Sequence, residues 1–248
     1  MRKIAIALSK GGVGKTTTAV NLAAGLAQRG KNVLLIDMDT QGQVAKALGV
    51  KTKCGLAELV SGDCSLGDTI LPARDQLWLL AGGRELAGLK RQIARKDFGS
   101  ENTVSDALKP LEGGYDYAII DTAPGWDSLT INALFYATEV LAPVALEAMS
   151  LQGLREFGVS LSDIQRYHRR LGFNYILPTF MDGRVKKSKE IYAQLLEYYH
   201  ERVCRPIRYN VRLSEAPGQG KTIFEFAPAS PGAQDYYSLV NRILEDDI

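Results

Sequence analysis

The chain has 248 residues, of which 46% are hydrophobic and 23% charged, and its formal net charge is +2. It is long enough for one large α/β domain with a substantial core, and its composition is ordinary for a soluble globular protein. The small net charge excludes a global electrostatic signal for nucleic acid, so any basic patch must be local. The cysteines, Cys54, Cys64 and Cys204, are odd in number and include no CxxC pair. They argue against a zinc site or a disulfide framework and suit a reducing cytosol.

The first predicted unit is a strand, a helix and a second strand. Residues 4–8 form an apolar run that is typical of a strand buried on both faces of a parallel sheet. A helix is predicted over residues 17–28, with Leu22 and Leu26 facing the sheet and Gly30 after its end. The buried strand at residues 33–36 closes a βαβ unit.

The rest of the chain continues this alternation. Residues 42–71 contain short helices and loops, and residues 205–226 show little periodicity. Strands are predicted at residues 77–81, 115–120, 140–144 and 175–177, and helices at 84–96, 104–111, 129–137, 151–171, 186–199 and 234–245. The pattern predicts an α/β fold, a mainly parallel twisted sheet with helices on both faces.

We expect a single domain over residues 1–248, because the sequence shows no repeat, low-complexity run or linker. The first strand begins at about residue 3, so neither a signal peptide nor an N-terminal helix-turn-helix domain is expected. No apolar run approaches membrane-spanning length.

A glycine-rich stretch separates the first strand from the first helix. Glycines let several backbone N–H groups turn toward one anion, and the helix N-terminus adds partial positive charge. Lys15 can reach β- and γ-phosphates, and the Thr16 hydroxyl can ligate Mg²⁺. An ordinary glycine turn is the alternative, which the offset of Gly-Lys-Thr disfavours. The predicted nucleotide-binding residues are Lys10, Gly11, Gly12, Val13, Gly14, Lys15, Thr16 and Thr17.

Three aspartates stand at or after predicted strand ends. Asp121 follows the strand at residues 115–120, where a carboxylate can hold Mg²⁺ through its water shell. Asp37 and Asp39 follow the second strand, at the edge where open α/β sheets bind ligands. The alternatives are a turn-capping role for Asp121 and a pair of metal-free turn carboxylates.

These motifs together resemble the ParA/MinD family of deviant Walker A P-loop ATPases, in its ParA/Soj partition branch. The resemblance rests on Lys10 before Gly-Gly-Val-Gly-Lys-Thr and on the segments at residues 37–41, 121–125, 181–184, 210–217 and 220–221. It covers nearly the whole chain. One departure is Arg208, which stands where many members carry proline.

The resemblance implies a P-loop ATPase with ATP and Mg²⁺ as cofactors. Lys10 would reach across a homodimer interface to the partner's nucleotide, Lys15 would bind the phosphates, and Asp39 would position the attacking water. Asp37 would support the loop and, with Thr16 and Asp121, the metal. Asn210 would contact adenine, and Pro217 lies in the same segment over the base.

The ParA branch also implies nonspecific binding to double-stranded DNA by the ATP-bound dimer, and activation by a ParB-type partner. Arg184 and Arg212 match DNA-contacting positions, and Lys186, Lys187 and Lys189 add local positive charge. A solvated helix face is the alternative for each lysine. The expected location is cytoplasmic and nucleoid-associated, with a plasmid, chromosome or protein assembly as cargo.

Two other functions stay open. MinD-like members end in a basic amphipathic helix that lies on a membrane, whereas this chain ends in Glu245-Asp246-Asp247-Ile248, which an anionic surface would repel. No membrane partner is therefore expected. A small-molecule ATP-dependent enzyme on the same scaffold is the other alternative, although no motif for its substrate is present.

Overall fold

Seven strands form one sheet in the computed structural model, which describes residues 1–247. The strands are β1 (Arg2–Ile6), β2 (Val33–Met38), β3 (Ile70–Arg74), β4 (Leu77–Leu80), β5 (Tyr117–Thr122), β6 (Glu139–Ala145) and β7 (Gly172–Thr179). Their order across the sheet is β3-β4-β2-β5-β1-β6-β7. All neighbouring pairs are parallel except β3 and β4. The predicted α/β class with a mainly parallel sheet is confirmed.

Helices cover both faces of this sheet. They are α1 (Lys15–Gln28), α2 (Gln43–Leu48), α3 (Leu56–Ser61), α4 (Leu66–Thr69), α5 (Leu86–Ala94), α6 (Thr103–Leu108), α7 (Ser128–Tyr136), α8 (Ser150–Tyr167), α9 (Lys186–Tyr199), α10 (Val211–Glu215), α11 (Ile223–Phe226) and α12 (Pro231–Glu245). Within residues 1–247, no helix combines the length and the apolar character that crossing a membrane requires.

The strands divide their side chains between two hydrophobic cores. In β1, Ile4 and Ile6 join the core that contains α1 and α12, whereas Ala5 joins the core that contains α7 and α8. Successive side chains of a strand point to opposite faces, so a strand covered on both faces must be apolar at every position. This explains the continuous apolar runs in the sequence.

Most predicted elements are present with shifted ends. The helix at residues 186–199 has the predicted bounds, whereas β2 and β5 run on through Asp37 and Asp121. The strand β3 was not predicted. It pairs antiparallel at the sheet edge and contains Pro72, a residue that only an edge strand tolerates well and that weakens the strand pattern.

The expectation of no disulfide is wrong, because Cys54 and Cys64 are bonded to each other. They flank the short helix α3, whose ends fold toward each other: Cys64 N–H donates to the Glu58 carbonyl, and Gly55 N–H donates to the Glu58 carboxylate. Residues ten apart in sequence therefore come within bonding reach. Cys204 is free and buried, and burial raises the pKa of its thiol to about 12.

A network of paired charges lies where the parallel strands begin, which we call the amino-terminal edge of the sheet. The Arg2 guanidinium donates to both Glu139 carboxylate oxygens at 2.8 and 2.6 Å and to Asp247 at 2.6 Å. It also donates to the Ile243 carbonyl at 2.7 Å, near the C-terminus of α12, and to the Tyr175 hydroxyl at 2.8 Å. Arg2 thus joins β1, β6, β7 and the end of α12.

Candidate functional site

The loop between β1 and α1 has the backbone shape of an anion-binding turn. Gly12 and Gly14 have φ of 72° and 90°, in the left-handed region that disfavours residues with a Cβ. Gly14 directly precedes α1, so N–H groups of the first helical turn point toward the loop. The Thr179 hydroxyl donates to the Val13 carbonyl at 3.0 Å and ties the loop to β7. The loop is therefore held in place without a ligand.

Lys15 is nearly buried beneath this loop, with 7% of its surface exposed. Its ammonium donates to the Leu8 and Lys10 carbonyls at 3.1 and 2.9 Å. A lysine ammonium has three donors, so one stays available for an anion. Burial lowers the pKa of Lys15, and the charges of Asp121 and Asp39 oppose that effect.

Two buried carboxylates lie side by side at the carboxyl ends of β2 and β5, since Asp37 and Asp121 are register partners. Asp37 is fully buried and accepts hydrogen bonds from the backbone N–H groups of Asp39 and Val44 at 2.9 and 3.2 Å. Burial raises the pKa of Asp37 to about 7, against the effect of those two hydrogen bonds.

Asp121 differs from Asp37 because both of its oxygens are buried and lack a hydrogen-bond partner among the described residues. Burial raises the pKa of Asp121 well above its ordinary value, and the charge of Asp37 raises it further, against the smaller effect of the neighbouring Thr16 hydroxyl, which lies outside hydrogen-bond geometry. A buried unpartnered carboxylate is costly unless a ligand satisfies it. The geometry fits a hydrated cation held between Asp121 and the nearby Thr16.

A protein-only metal cage is absent: within residues 1–247, no group of three or more His, Cys, Asp or Glu side chains could hold a metal ion. This donor set suits Mg²⁺, which keeps several waters and is bound through one or two carboxylates together with phosphate oxygens. It does not suit a structural zinc ion.

Asp39 and Lys10 stand at the mouth of the site. Asp39 is half-buried, lines the cavity and accepts a hydrogen bond from Gln41 N–H at 2.9 Å. The Lys10 side chain is 41% exposed, and its ammonium lies 3.3 Å from Glu147 in the turn between β6 and α8. In this chain alone, Lys10 does not line the cavity and pairs with Glu147 instead.

The loop opens into a cavity of about 520 Å³. Of the predicted residues, it is lined by Gly11, Gly12, Gly14, Lys15, Thr16, Thr17, Asp39 and Asn210. Pro217 instead lines a neighbouring cavity of about 360 Å³, which shares Thr16, Thr17, Gln43 and Leu213 with the first. The remaining lining residues Gln43, Thr179, Phe180, Ile207, Arg208, Tyr209 and Tyr236 were not predicted as site residues, whereas Gln41, Thr122, Pro124, Leu213 and Ser214 lie in segments that carried the family resemblance. Several of them directly follow strand ends, which was the available signal.

Asn210 lines the same cavity as the phosphate-binding loop. Its side-chain oxygen accepts from Arg212 N–H at 2.9 Å and caps α10, which leaves the amide N–H₂ free to donate. The left-handed Phe180, with φ of 56°, lines the same cavity after β7. Together they offer apolar surface and an amide donor that has no hydrogen-bond partner among the described residues, as a planar base requires.

The proposed DNA-contacting residues lie on the surface. Arg184 is 88% exposed and pairs with Asp182 at 2.8 Å, and Arg212 is 60% exposed and pairs with Glu215 at 2.8 Å. Lys186 is 91% exposed, with Glu190 at 3.7 Å, and Lys187 and Lys189 are exposed on the same helix. Arg184 and Arg212 follow two segments that pair with each other through Met181 and Arg208.

The sheet order, the glycine loop and the carboxylate-bearing strand ends define a P-loop nucleotide-binding fold. A family sequence model described as an AAA domain matches residues 1–172. The chromosome-partitioning ATPase Soj of Thermus thermophilus is 39% identical over 98% of this chain and 96% of that protein. The sporulation initiation inhibitor protein Soj of Bacillus subtilis is 35% identical over 97% of each. The chain belongs to the ParA/MinD family of P-loop partition ATPases.

A solved structure agrees with this fold. The structure described as cobyrinic acid a,c-diamide synthase from Mycobacterium smegmatis, with bound ADP and magnesium, has a TM-score of 0.84 and 29% identity to this chain. The match covers 98% of this chain and 94% of that one.

Proposed function

We propose that this chain is a Mg²⁺-dependent ATPase whose ATP-bound dimer binds double-stranded DNA without sequence preference. A ParB-type partner stimulates hydrolysis and releases the dimer from DNA. The cycle takes place in the cytoplasm, on the nucleoid, and segregates or positions a plasmid, a chromosome or a protein assembly. The observation that carries the proposal is the unpartnered Asp121 carboxylate beside a preformed anion-binding loop.

The nucleotide-binding part of the proposal assigns residues of the cavity to the phosphates and to the metal ion. The loop and the free Lys15 donor hold the β- and γ-phosphates, and Thr16 with the two aspartates Asp37 and Asp121 holds hydrated Mg²⁺. Mg²⁺, when bound, neutralises charge on the phosphate oxygens. The test is ATP affinity measured by calorimetry with Mg²⁺ and with chelator. The parent should bind at least about tenfold more tightly with Mg²⁺, a difference of about 1.4 kcal/mol. Asp121→Ala should abolish that difference.

Asp39 is proposed to position the attacking water, because it lines the cavity and its second carboxylate oxygen accepts no hydrogen bond from the described residues. Asp39→Ala should slow hydrolysis on the order of 100-fold or more while leaving ATP affinity near the parent value. The dimer should then stay on DNA with little phosphate release. Normal hydrolysis by this variant would move the role to another residue.

Lys10 is proposed to leave Glu147 and to bind the phosphates of the partner's nucleotide. Lys10→Ala should therefore weaken ATP-driven dimerisation, measured by light scattering, and turnover. Glu147→Gln is the matched control because it breaks the same 3.3 Å ion pair and keeps the lysine. If both variants behave alike, the contribution of Lys10 is local and the intersubunit role is wrong.

The DNA part rests on the exposed guanidinium groups of Arg184 and Arg212. Arg184→Glu should weaken binding to all duplex sequences alike, and each lost phosphate contact should reduce the salt slope by about 1. Arg166→Glu is the matched control: Arg166 is 78% exposed and, like Arg184, pairs with an aspartate nearby in sequence, but it lies on α8. If the two variants weaken DNA binding equally, only the net charge of the protein matters, and the proposed DNA face would be wrong.

The packing of α12 disfavours a membrane-bound function. Its apolar residues Tyr236, Leu239, Val240 and Ile243 are buried in the core beside α1, so this face is not free for lipid. Asp247, which the sequence presented as a repelling tail residue, is paired with Arg2. Sedimentation with anionic vesicles and with duplex DNA, both with ATP, should retain the protein on DNA only.

A small-molecule enzyme is the second candidate, because the similar Mycobacterium smegmatis structure is described as a diamide synthase. Turnover would then depend on a metabolite rather than on DNA and a partner protein. The described residues that line the cavity include no cationic side chain beyond Lys15, which is assigned to the phosphates, and Arg208, which is paired with Asp235, so none is left to hold an anionic metabolite. ATP hydrolysis should therefore respond to DNA plus partner, and a response only to a carboxylic acid substrate would overturn the partition proposal.

A further inference from the structure

The segment that carries Asn210 is held on one side by the sheet. Met181 N–H donates to the Ile207 carbonyl at 3.0 Å, and Tyr209 N–H donates to the Met181 carbonyl at 3.0 Å. The segment thus runs beside the continuation of β7 and lines the cavity. These bonds fix its distance from the sheet but leave its outer side without support.

Arg208 supplies that support through α12. Its backbone N–H donates to one Asp235 oxygen at 2.9 Å, and its guanidinium donates to the other at 2.7 Å. The same guanidinium donates to the Pro231 carbonyl at 3.2 Å. The Asp235 side chain is only 12% exposed, whereas Arg208 is 48% exposed. One carboxylate therefore holds both the main chain and the side chain of Arg208.

The first turn of α12 also touches the base-facing residues directly. A Cβ on Gly232 would lie 3.1 Å from the Asn210 amide nitrogen and 3.0 Å from Leu213, so the helix approaches both closely. Tyr236, which follows Asp235, lines the same cavity. The start of α12 and the segment at residues 207–213 consequently form one wall.

We propose that Arg208 and Asp235 form a clamp that positions this wall and so sets affinity for the base of the bound nucleotide. The proposal rests on the proposed nucleotide function of the cavity. Arg208 lines the cavity, but its guanidinium is occupied by Asp235 and the Pro231 carbonyl, so we treat it as a positioning residue that acts through Asn210 and its neighbours. A proline here would have no N–H to donate. This chain, which departs from the family pattern at this position, holds the segment by a charged pair instead.

The test compares two ligands that share phosphates but not a base. ATP and inorganic tripolyphosphate, both with Mg²⁺, are titrated by calorimetry into the parent, Arg208→Ala, Asp235→Ala and the double variant. Each single variant should lose about tenfold in ATP affinity and less than about twofold in tripolyphosphate affinity. The double variant should lose no more than either single one, because the pair acts as a unit.

Arg242→Ala is the matched control, since Arg242 is an exposed arginine of the same helix whose 3.4 Å partner, Asp246, lies outside the cavity. It should bind both ligands like the parent. Should Arg208→Ala fail to fold, Arg208→Lys replaces it, because lysine keeps the charge but not the bidentate geometry.

The proposed clamp is wrong if Arg208→Ala binds ATP like the parent. It is also wrong if the variant loses affinity equally for ATP and tripolyphosphate, which would mean general damage to the fold. A parent that binds ATP no better than tripolyphosphate would instead overturn the base assignment of the proposed function. The two failures are therefore distinguishable.

Discussion

The sheet buries carboxylates in opposite ways at its amino-terminal edge, where the parallel strands begin, and at its carboxyl edge, where they end. At the amino-terminal edge, the Glu139 oxygens both accept from Arg2, and Asp247 accepts from the same side chain. At the carboxyl edge, Asp121 is 1% exposed, and its oxygens have no partner among the described residues. Removing one partner of a buried ion pair is strongly destabilising, whereas a buried carboxylate without a partner raises the free energy of the fold until a proton or a ligand satisfies it. The first edge is built for stability and the second for binding.

The largest expected effect is the loss of the ligand-binding charge at the carboxyl edge. Lys15→Ala should weaken ATP binding on the order of 10³-fold, about 4 kcal/mol, because the phosphates lose a buried cation. Calorimetry with Mg²⁺ measures it, and thermal unfolding without nucleotide serves as the folding control. ATP affinity equal to that of the parent would remove the phosphate-loop assignment.

The next effect concerns pH. The pKa of Asp37 is raised by burial to about 7, above its value in an unfolded chain. The contribution of this group to stability is therefore fully present below about pH 4 and is lost as pH rises through about 7. Nucleotide-free protein should lose about 3 kcal/mol of unfolding free energy over that interval through this group.

Asp37→Asn cannot titrate, so its stability should fall less with pH than that of the parent. Urea unfolding between about pH 4.5 and pH 7.5 gives the difference. The variant also loses a hydrogen-bond acceptor. This loss lowers its unfolding free energy at every pH but does not change the slope of that free energy against pH. Parallel curves for the two proteins would contradict the raised pKa.

At the paired edge, Arg2→Ala should destabilise the protein by about 2–3 kcal/mol, since it leaves the mostly buried Glu139 without its cation. ATP affinity should stay within about twofold of the parent, because Arg2 lies at the opposite end of β1 from the loop. Denaturant unfolding and calorimetry on the same preparation check both statements. A matching loss of ATP affinity would mean that the two edges are coupled.

The smallest expected effect is a gain in stability, whereas the preceding effects are losses. Asp121→Asn removes a buried ionisable group that has no partner, so the nucleotide-free protein should gain about 1 kcal/mol, or about 2–4 °C in midpoint. Thermal unfolding without Mg²⁺ or nucleotide is the measurement. Destabilisation by this variant would show that the carboxylate is satisfied within the chain and would end the contrast between the edges.

The sequence was sufficient for the parts of the molecule that local pattern encodes. Apolar runs located β1, β2 and β5, and the Gly-Lys-Thr offset located the loop with Lys15 and Thr16. The family resemblance assigned both Asp37 and Asp121 to the metal, and the structure makes them register partners at the carboxyl ends of β2 and β5.

What escaped prediction depends on contacts between residues far apart in the chain. Arg208 and Asp235 are 27 positions apart, and no periodicity in residues 205–226 indicated their pairing. The Cys54–Cys64 bond likewise depends on how tightly α3 turns. The edge strand β3 needed its partner β4 to become extended, because Pro72 and short length weaken its own preference.

The contact between Arg2 and Asp247 has a practical consequence for engineering. The two side chains meet at 2.6 Å, so the first and last parts of the described chain are neighbours. A short flexible linker could join them, and new ends could be opened in the turn around Phe98, which is 93% exposed. Such a circular permutant would carry its attachment points away from the cavity. A fluorophore or a surface tether placed there would leave the nucleotide-binding end of the sheet untouched.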